Sequence, residues 1–194
     1  MKKKISLREI LIPTVALFLI ASICTAILAI TNSVTKDKIE ENQIKSAMEA
    51  RMTVFPDAKS FSEEKQIGEN KYAEALDEKG NVIGYVFTAS DSGYGGAVLI
   101  MTGIDSQGKI TGIQTLELNE TAGLGMNAKK EDFRNRFKGK SGPFVVNKDA
   151  NAQTADYDKI DALTGATITS RAVTNAVNKT VELYNKLTGG DRNG

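Results

Sequence analysis

The chain has 194 residues, a quarter of them charged, and a formal net charge of +1 at pH 7. A near-neutral chain of this length can bury one ordinary hydrophobic core, and it has no global basic surface for nucleic acid. It contains no histidine and a single cysteine, Cys24. This excludes a Ser-His-Asp triad, histidine-held haem, cysteine-ligated metal and an intrachain disulfide, so we expect any redox chemistry to come from an organic cofactor and no metal site.

An uncharged run of 21 residues, at 10–30, follows a short basic N-terminus. At about 1.5 Å per residue, a helix of this length spans roughly 30 Å, the thickness of a bilayer core. The positive-inside rule then predicts residues 1–9 in the cytoplasm, one helix across the cell (inner) membrane, and the main domain outside the cytoplasm. The basic residues that carry this prediction are Lys2, Lys3, Lys4 and Arg8.

A cleaved signal peptide is the main alternative for this run. Its apolar region would span about 7–15 residues and end at a small-x-small site. The run is longer, and Ala29-Ile30-Thr31 matches such a site poorly. A lipoprotein anchor at Cys24 is disfavoured because Ile23 is too large for that processing site, so we interpret Cys24 as a buried thiol in lipid.

Residues 31–56 are predicted to form a stalk helix, and residues 57–194 a single domain. Apolar residues recur near helical spacing in the stalk until Pro56 ends the pattern. After a polar, loop-like stretch at 57–70, four short runs alternate with turn signals that fit antiparallel hairpins. These strand-like runs lie at 71–76, 82–89, 97–104 and 109–118.

The second half of the domain mixes helix and strand signals. Residues 129–137 fit a short amphipathic helix, and residues 144–146 fit another strand. Apolar side chains at i, i+3 and i+4 predict a final helix over 169–187. The sequence therefore predicts an α+β domain of antiparallel strands with a C-terminal helix, on one N-terminal transmembrane helix.

A hydroxyl-rich segment leads into the final helix. Thr167 is expected about one turn before it, where N–H groups without intrahelical partners and the macrodipole favour an anion. Gly165 permits a tight turn and Ala166 leaves space for a ligand. Further hydroxyl donors come from Thr164, Thr169 and Ser170. The segment suits a phosphate, held by hydrogen bonds or covalently, but the same residues also suit N-capping, and their chemistry alone leaves both open.

The pattern Asp-x-x-(Ser/Thr)-Gly-Ala-Thr resembles the flavinylation motif of the FMN-binding domain family. Its fixed positions here are Asp161, Thr164, Gly165, Ala166 and Thr167. In that family the final threonine is joined to the phosphate of FMN by a phosphoester bond, which a dedicated flavin transferase installs. The resemblance therefore implies covalent FMN on Thr167 and a transferase as maturation partner.

Two further segments strengthen the resemblance. Residues 119–125 resemble a Glu-Thr-Pro-Gly-Leu-Gly loop that lies near the flavin in that family, with Ala122 in place of the proline. Gly93-Tyr94-Gly95-Gly96 resembles a second glycine-rich stretch, although a plain turn before a strand is an equal interpretation. By resemblance, the flavin-binding residues in these loops are Tyr94, Glu120, Thr121, Gly123, Leu124 and Gly125.

With the anchor and the length included, the chain resembles in particular the G subunits of Rnf-type complexes, ferredoxin:NAD oxidoreductases coupled to ion translocation. The resemblance implies an electron-carrying flavoprotein subunit that works with other membrane subunits and is not catalytic alone. The C subunits of Na⁺-translocating NADH:quinone reductases share the motif but are longer. A membrane-tethered binding module without a redox role, in which Thr167 only caps a helix, is the third hypothesis.

Residues 123–128 also satisfy a G-x-G-x-x-A pattern after a predicted strand and before a predicted helix. A dinucleotide fingerprint requires a parallel βαβ unit, whereas the flanking signals favour antiparallel hairpins. The outer side of a membrane also offers little free NAD(H). We therefore do not interpret this pattern as a nicotinamide site.

Overall fold

The computed structural model describes residues 7–68, 70–149 and 157–189. The chain divides into two compact units, Met1–Ala47 and Met48–Gly194. The predicted cytoplasmic lysines Lys2, Lys3 and Lys4 lie outside the described residues.

Helix α1, Leu7–Val54, is continuous over 48 residues and includes both the predicted anchor and the predicted stalk. Pro13 lies inside this helix, in its second turn, and no glycine or proline follows until Pro56, so nothing in the sequence interrupts the helix after Pro13. Its segment Ile10–Lys36 has a mean hydropathy of 2.5 and no buried residue. Threonine hydroxyls in this segment donate to carbonyls four residues earlier, which satisfies them without water. An exposed apolar helix of this length fits a single-pass membrane anchor.

Six strands of the second unit form one antiparallel sheet in the order β1-β3-β4-β5-β6, with β2 also paired to β3. The strands are β1 (Ser60–Phe61), β2 (Lys65–Ile67), β3 (Asn70–Leu76), β4 (Val82–Ser92), β5 (Ala97–Asp105) and β6 (Ile110–Leu118). The four predicted strands are confirmed as β3 to β6.

The predicted loop at 57–70 contains β1 and β2, so that prediction is wrong. Both strands pair with the edge of β3 through the backbone, and Lys65 Nζ of β2 lies 2.6 Å from Glu74 Oε1 of β3. Each of these strands has one partly buried apolar residue, Phe61 in β1 and Ile67 in β2, so the otherwise polar sequence of this stretch conceals them.

After β6 come a 3₁₀ helix (Gly125–Lys129), helix α2 (Glu131–Arg134), the strands β7 (Phe144–Val146) and β8 (Asp158–Ile160), and helix α3 (Thr167–Thr188). Strands β7 and β8 form a separate parallel pair. The helix predicted over 129–137 is wrong in extent, because Lys130 has an extended backbone with ψ of 144° and separates two short turns. Phe133 and Phe137 are nevertheless both buried, as their spacing predicts.

Successive side chains of a strand point to opposite faces of the sheet, and here both faces carry apolar residues. On one face, side chains such as Phe87 and Ile100 pack against α3 and form the main core. On the other face, Val86 and Met101 pack against Val54, in the last turn of α1. The main core therefore fixes where α3 begins, and the ends of β4 and β6 lie beside that point.

Candidate functional site

Three loops that are distant in the sequence meet at the start of α3 and enclose a cavity of about 550 Å³. They are the β4–β5 turn at 93–96, the segment 119–125 after β6, and the turn 164–166 before α3. Nine of the thirteen predicted site residues line this cavity. They are Tyr94, Glu120, Thr121, Leu124, Gly125, Gly165, Ala166, Thr167 and Thr169.

Helix α3 begins without a side-chain cap. Its N-cap residue is Ala166, and Thr167 is its first helical residue. The prediction that Thr167 precedes the helix by a turn is wrong, because Ser170 N–H already donates to Ala166 O at 3.0 Å. Side-chain capping, the alternative role for these hydroxyls, is therefore not how this helix starts. The N–H groups of Thr167, Ile168 and Thr169 precede that first bond and have no intrahelical acceptor.

Hydrogen bonds of the Ser170 hydroxyl stabilise the turn before α3. The Ser170 hydroxyl donates to Ala166 O at 2.9 Å and accepts the Leu163 N–H at 2.9 Å. Ser170 is fully buried, so its hydroxyl is used by the turn and does not line the cavity. Gly165 has φ of +72°, a conformation that side chains with a Cβ rarely adopt. Half-buried Thr167 thus follows a turn that its own hydrogen bonds stabilise.

Glu120 joins the two glycine-rich loops. Its Oε1 accepts the N–H of Tyr94 at 2.8 Å and that of Gly95 at 3.4 Å. A Cβ on Gly93 would lie 2.3 Å from the same oxygen, and a Cβ on Gly125 would lie 2.7 Å from Glu120 Cβ and 2.6 Å from Thr169 Oγ1. The absent side chains at these glycines therefore let the loops pack against each other around Glu120.

Three of the residues that line the cavity have large, exposed apolar side chains. Tyr94 is 73% exposed, Leu124 42% and Ile168 49%. Among the described residues after α1, five large hydrophobic side chains are exposed, and these are three of them. Their concentration at one cavity, next to hydrogen-bond donors, is typical of a site for a ligand with a flat apolar part and a polar end.

Four predicted site residues do not line the cavity. Asp161 accepts a hydrogen bond from Asn147 Nδ2 at 2.7 Å on its Oδ1, and its backbone carbonyl accepts one from Arg136. Thr164 is exposed in the turn, and Gly123 bends the 119–125 loop with φ of +77°. With Ser170, these residues shape the segments around the cavity, and their contact with a cofactor stays a prediction.

Two cavity residues were not predicted from the sequence. Lys148 lies in the turn after β7, and Ile168 is the second residue of α3. No motif spacing relates Lys148 to Thr167, since only the pairing of β7 with β8 brings them together. Ile168 could have been found from the sequence, because it is a large apolar residue that lies outside the apolar stripe of the final helix.

A salt bridge joins the end of β4, just before the turn at 93–96, to α3. Asp91, in β4, accepts from Lys179 Nζ at 2.9 Å and from Asn175 Nδ2 at 2.9 Å. Burial raises the pKa of Asp91, but the hydrogen bonds from Lys179 and Asn175 and the charge of Lys179 together hold it below its ordinary value. The ionised carboxylate therefore stabilises the contact between β4 and α3.

Residues 93–182 match the FMN-binding domain family, and residues 1–54 match the RnfG N-terminal region. The first match spans all three loops of the cavity and the start of α3. The second spans α1 to its last residue.

Relatives match over nearly the whole chain. The chain is 39% identical over 188 residues to the G subunit of the Na(+)-translocating ferredoxin:NAD(+) oxidoreductase complex of Acetobacterium woodii, covering 88% of this chain and 89% of the relative. It is 36% identical over 183 residues to the G subunit of the proton-translocating ferredoxin:NAD(+) oxidoreductase complex of Clostridium ljungdahlii, covering 91% and 90%.

The fold is also found in a solved structure. The crystal structure of Shewanella oneidensis NqrC superposes with a TM-score of 0.50 at 20% identity, covering 72% of this chain and 74% of that one. This likeness confirms the predicted α+β fold. Together with the anchor helix and the two matched segments, the similarity along the whole chain shows that it belongs to the family of G subunits of Rnf-type ion-translocating oxidoreductase complexes.

Proposed function

We propose that this chain is the membrane-anchored flavoprotein subunit of an ion-translocating ferredoxin:NAD oxidoreductase complex, and that it carries electrons through FMN joined to Thr167 by a phosphoester bond. The observation that carries the proposal is the position of Thr167, at the uncapped start of α3 and inside the cavity. The match to the FMN-binding domain and the printed names of the relatives support it.

The residues around the cavity fit FMN. A volume of about 550 Å³ lies within the roughly 300–1,000 Å³ of small-molecule sites. The three N–H groups at the start of α3 and its macrodipole suit a phosphate. The exposed apolar surfaces of Tyr94, Leu124 and Ile168 suit the isoalloxazine ring, which would cover them. When bound, the flavin supplies the acceptance and donation of electrons.

The chain itself would hold, orient and shield the cofactor. Thr167 Oγ1 would form the ester, and the neighbouring N–H groups would donate to the phosphate oxygens. Glu120 would keep the loops at 93–96 and 119–125 together, so that Tyr94 and Leu124 exclude water from one side of the ring. This role requires no general acid or base, in keeping with a chain that lacks histidine.

We propose an orientation with residues 1–9 in the cytoplasm and the flavin domain on the other side of the membrane. The basic N-terminus ahead of the apolar segment supports it. A covalent bond would then keep FMN from diffusing away in a compartment that cannot resupply it. A flavin transferase would install the bond from a flavin dinucleotide: the Thr167 hydroxyl would lose its proton and attack the flavin-side phosphorus, the phosphoanhydride bond would break, and a nucleoside monophosphate would leave. The other membrane subunits of the complex would supply and remove electrons.

The test is the mass of the full-length chain, produced together with a flavin transferase and purified in detergent. We expect the wild type and Thr167→Ser to carry one FMN each, with flavin fluorescence that persists on the denatured band. Thr167→Ala should have its unmodified mass and a normal far-UV circular dichroism spectrum. Thr188→Ala, at the far end of α3, is the matched control and should load like the wild type. An unmodified, colourless wild type would favour the membrane-tethered binding module instead.

A further inference from the structure

The turn that follows β7, Asn147-Lys148-Asp149, is compact and ordered by its backbone. Asn147 N–H donates to Ile160 O of β8 at 2.9 Å, and Asp149 N–H donates to Val146 O at 2.9 Å. These two bonds fix the path of the turn where it leaves the β7–β8 pair.

Side chains on both sides of Lys148 attach this turn to the segment that begins α3. Asn147 Nδ2 donates to Asp161 Oδ1 at 2.7 Å, and its Oδ1 accepts the Ala162 N–H at 3.2 Å. Asp149 Oδ1 lies 2.6 Å from Arg171 Nε, a salt bridge to the second turn of α3. Asp161 thus contacts the turn rather than the cavity, although it belongs to the same motif as Thr167.

Lys148, between these two attachments, lines the cavity together with Thr167. It is the one basic side chain that lines this cavity among the residues that the structure describes, and it makes no hydrogen bond or ion pair with any of them. The carboxylate in the cavity, Glu120, already accepts two backbone N–H groups on the opposite side. The cavity that contains Thr167 is therefore lined by an exposed lysine that has no counter-charge from the described part of the chain.

We propose that Lys148 is the cationic partner of the phosphate bound at Thr167, and that Asp161 and Arg171 are positioning residues that hold its turn against the start of α3. This rests on the proposed function, because the anion is the phosphate of FMN. A phosphate esterified on both sides keeps one negative charge. The start of a helix supplies roughly half a positive charge, which leaves about half a negative charge on the phosphate for an ammonium group to offset.

The experiment compares full-length wild type, Lys148→Gln and Lys148→Arg, each exposed to the flavin transferase and a flavin dinucleotide donor, with Lys138→Gln as a control at an exposed lysine that does not line the cavity. Intact mass at timed intervals gives the rate of FMN incorporation, and ³¹P NMR of the loaded chain reports the surroundings of the phosphorus. We expect Lys148→Gln to slow incorporation about tenfold or more and to shift the ³¹P resonance. Lys148→Arg should keep most of the rate, and Lys138→Gln should match the wild type.

Three results would overturn the inference. Lys148→Gln could load at the wild-type rate with an unchanged ³¹P resonance. It could load slowly but with that resonance unmoved, which would assign Lys148 to the encounter with the transferase. It could also change the flavin reduction potential while leaving the phosphorus signal alone, which would place the ammonium at the ring. Failure of the proposed function is separate, because the wild type itself would then remain unmodified.

Discussion

Gly125→Ala tests whether close packing of the loops around Glu120 forms the cavity. An added Cβ would lie 2.6 Å from Thr169 Oγ1, 2.7 Å from Glu120 Cβ and 2.9 Å from Glu120 Oε2. Thr169 is 1% exposed and cannot swing aside into solvent. Gly125 is not among the positive-φ glycines, so the backbone itself accepts alanine and the effect isolates the contact.

The magnitude follows from two opposing effects. Overpacking of this kind destabilises the fold by about 1–3 kcal/mol. Replacing glycine by alanine stabilises it by about 0.4–1 kcal/mol, because alanine lowers the conformational entropy of the unfolded chain. The net loss is roughly 1–2 kcal/mol, and we expect the melting temperature to fall by about 2–8 °C. We also expect slower FMN incorporation, because relief of the contact moves either Glu120 or the first turn of α3.

Tyrosine fluorescence during thermal unfolding is the assay, on full-length chain made without the transferase. All five tyrosines lie beyond residue 70 and the chain has no tryptophan, so the signal reports the second unit alone. Gly123→Ala is the matched control. It has φ of +77° with no atom within 4 Å of its Cβ position, so it strains the backbone without a contact. A Gly125→Ala chain that melts and loads like the wild type would refute this account of the loops.

The joining role of Glu120, the ion pair of Asp91 and the proposed membrane orientation can each be tested with one variant. Glu120→Ala should free the N–H groups of Tyr94 and Gly95, lowering the melting temperature and slowing FMN incorporation in the same preparation, whereas unchanged values of both would contradict its joining role. The pKa of Asp91 is lowered, so its stabilisation is complete above its unfolded value of 3.8 and is lost as the pH falls through the lower folded value. The melting-temperature difference between wild type and Asp91→Asn should therefore be constant at neutral pH and shrink in acid. A difference that grows in acid would contradict a lowered pKa of Asp91. Ser106→Cys should react with a membrane-impermeant maleimide in right-side-out but not inside-out vesicles, with the wild type, whose only cysteine is Cys24, as the control.

Much of the fold can be predicted because local periodicity reflects burial. The strands β3 to β6 stand out as short apolar runs between turn residues because each contributes to a core, and α3 repeats its apolar residues because one stripe packs on the sheet. The continuous α1 follows from the absence of glycine and proline between Pro13 and Pro56. Strands β1 and β2 carry no such apolar run, since each has only one partly buried apolar residue and pairs with β3 through the backbone.

The motif around Thr167 could be identified from the sequence because its residues are nearly consecutive. The N-cap residue of α3 could not be predicted from the sequence. Whether Ala166 or a hydroxyl residue starts the helix depends on the hydrogen bond between Leu163 and Ser170 that closes the turn. The role of Asp161 was likewise hidden, since its partner Asn147 lies 14 residues earlier on another strand end.

The sequence by itself therefore determined the elements, the anchor and the segment that would hold a phosphate, because each is encoded in neighbouring residues. Only the tertiary structure decided which distant residues join that segment. Glu120 and Lys148 reach the cavity through the antiparallel pairing of β4 to β6 and the parallel pairing of β7 with β8. Long-range pairing brings together residues that share no sequence spacing, so no local pattern could record it.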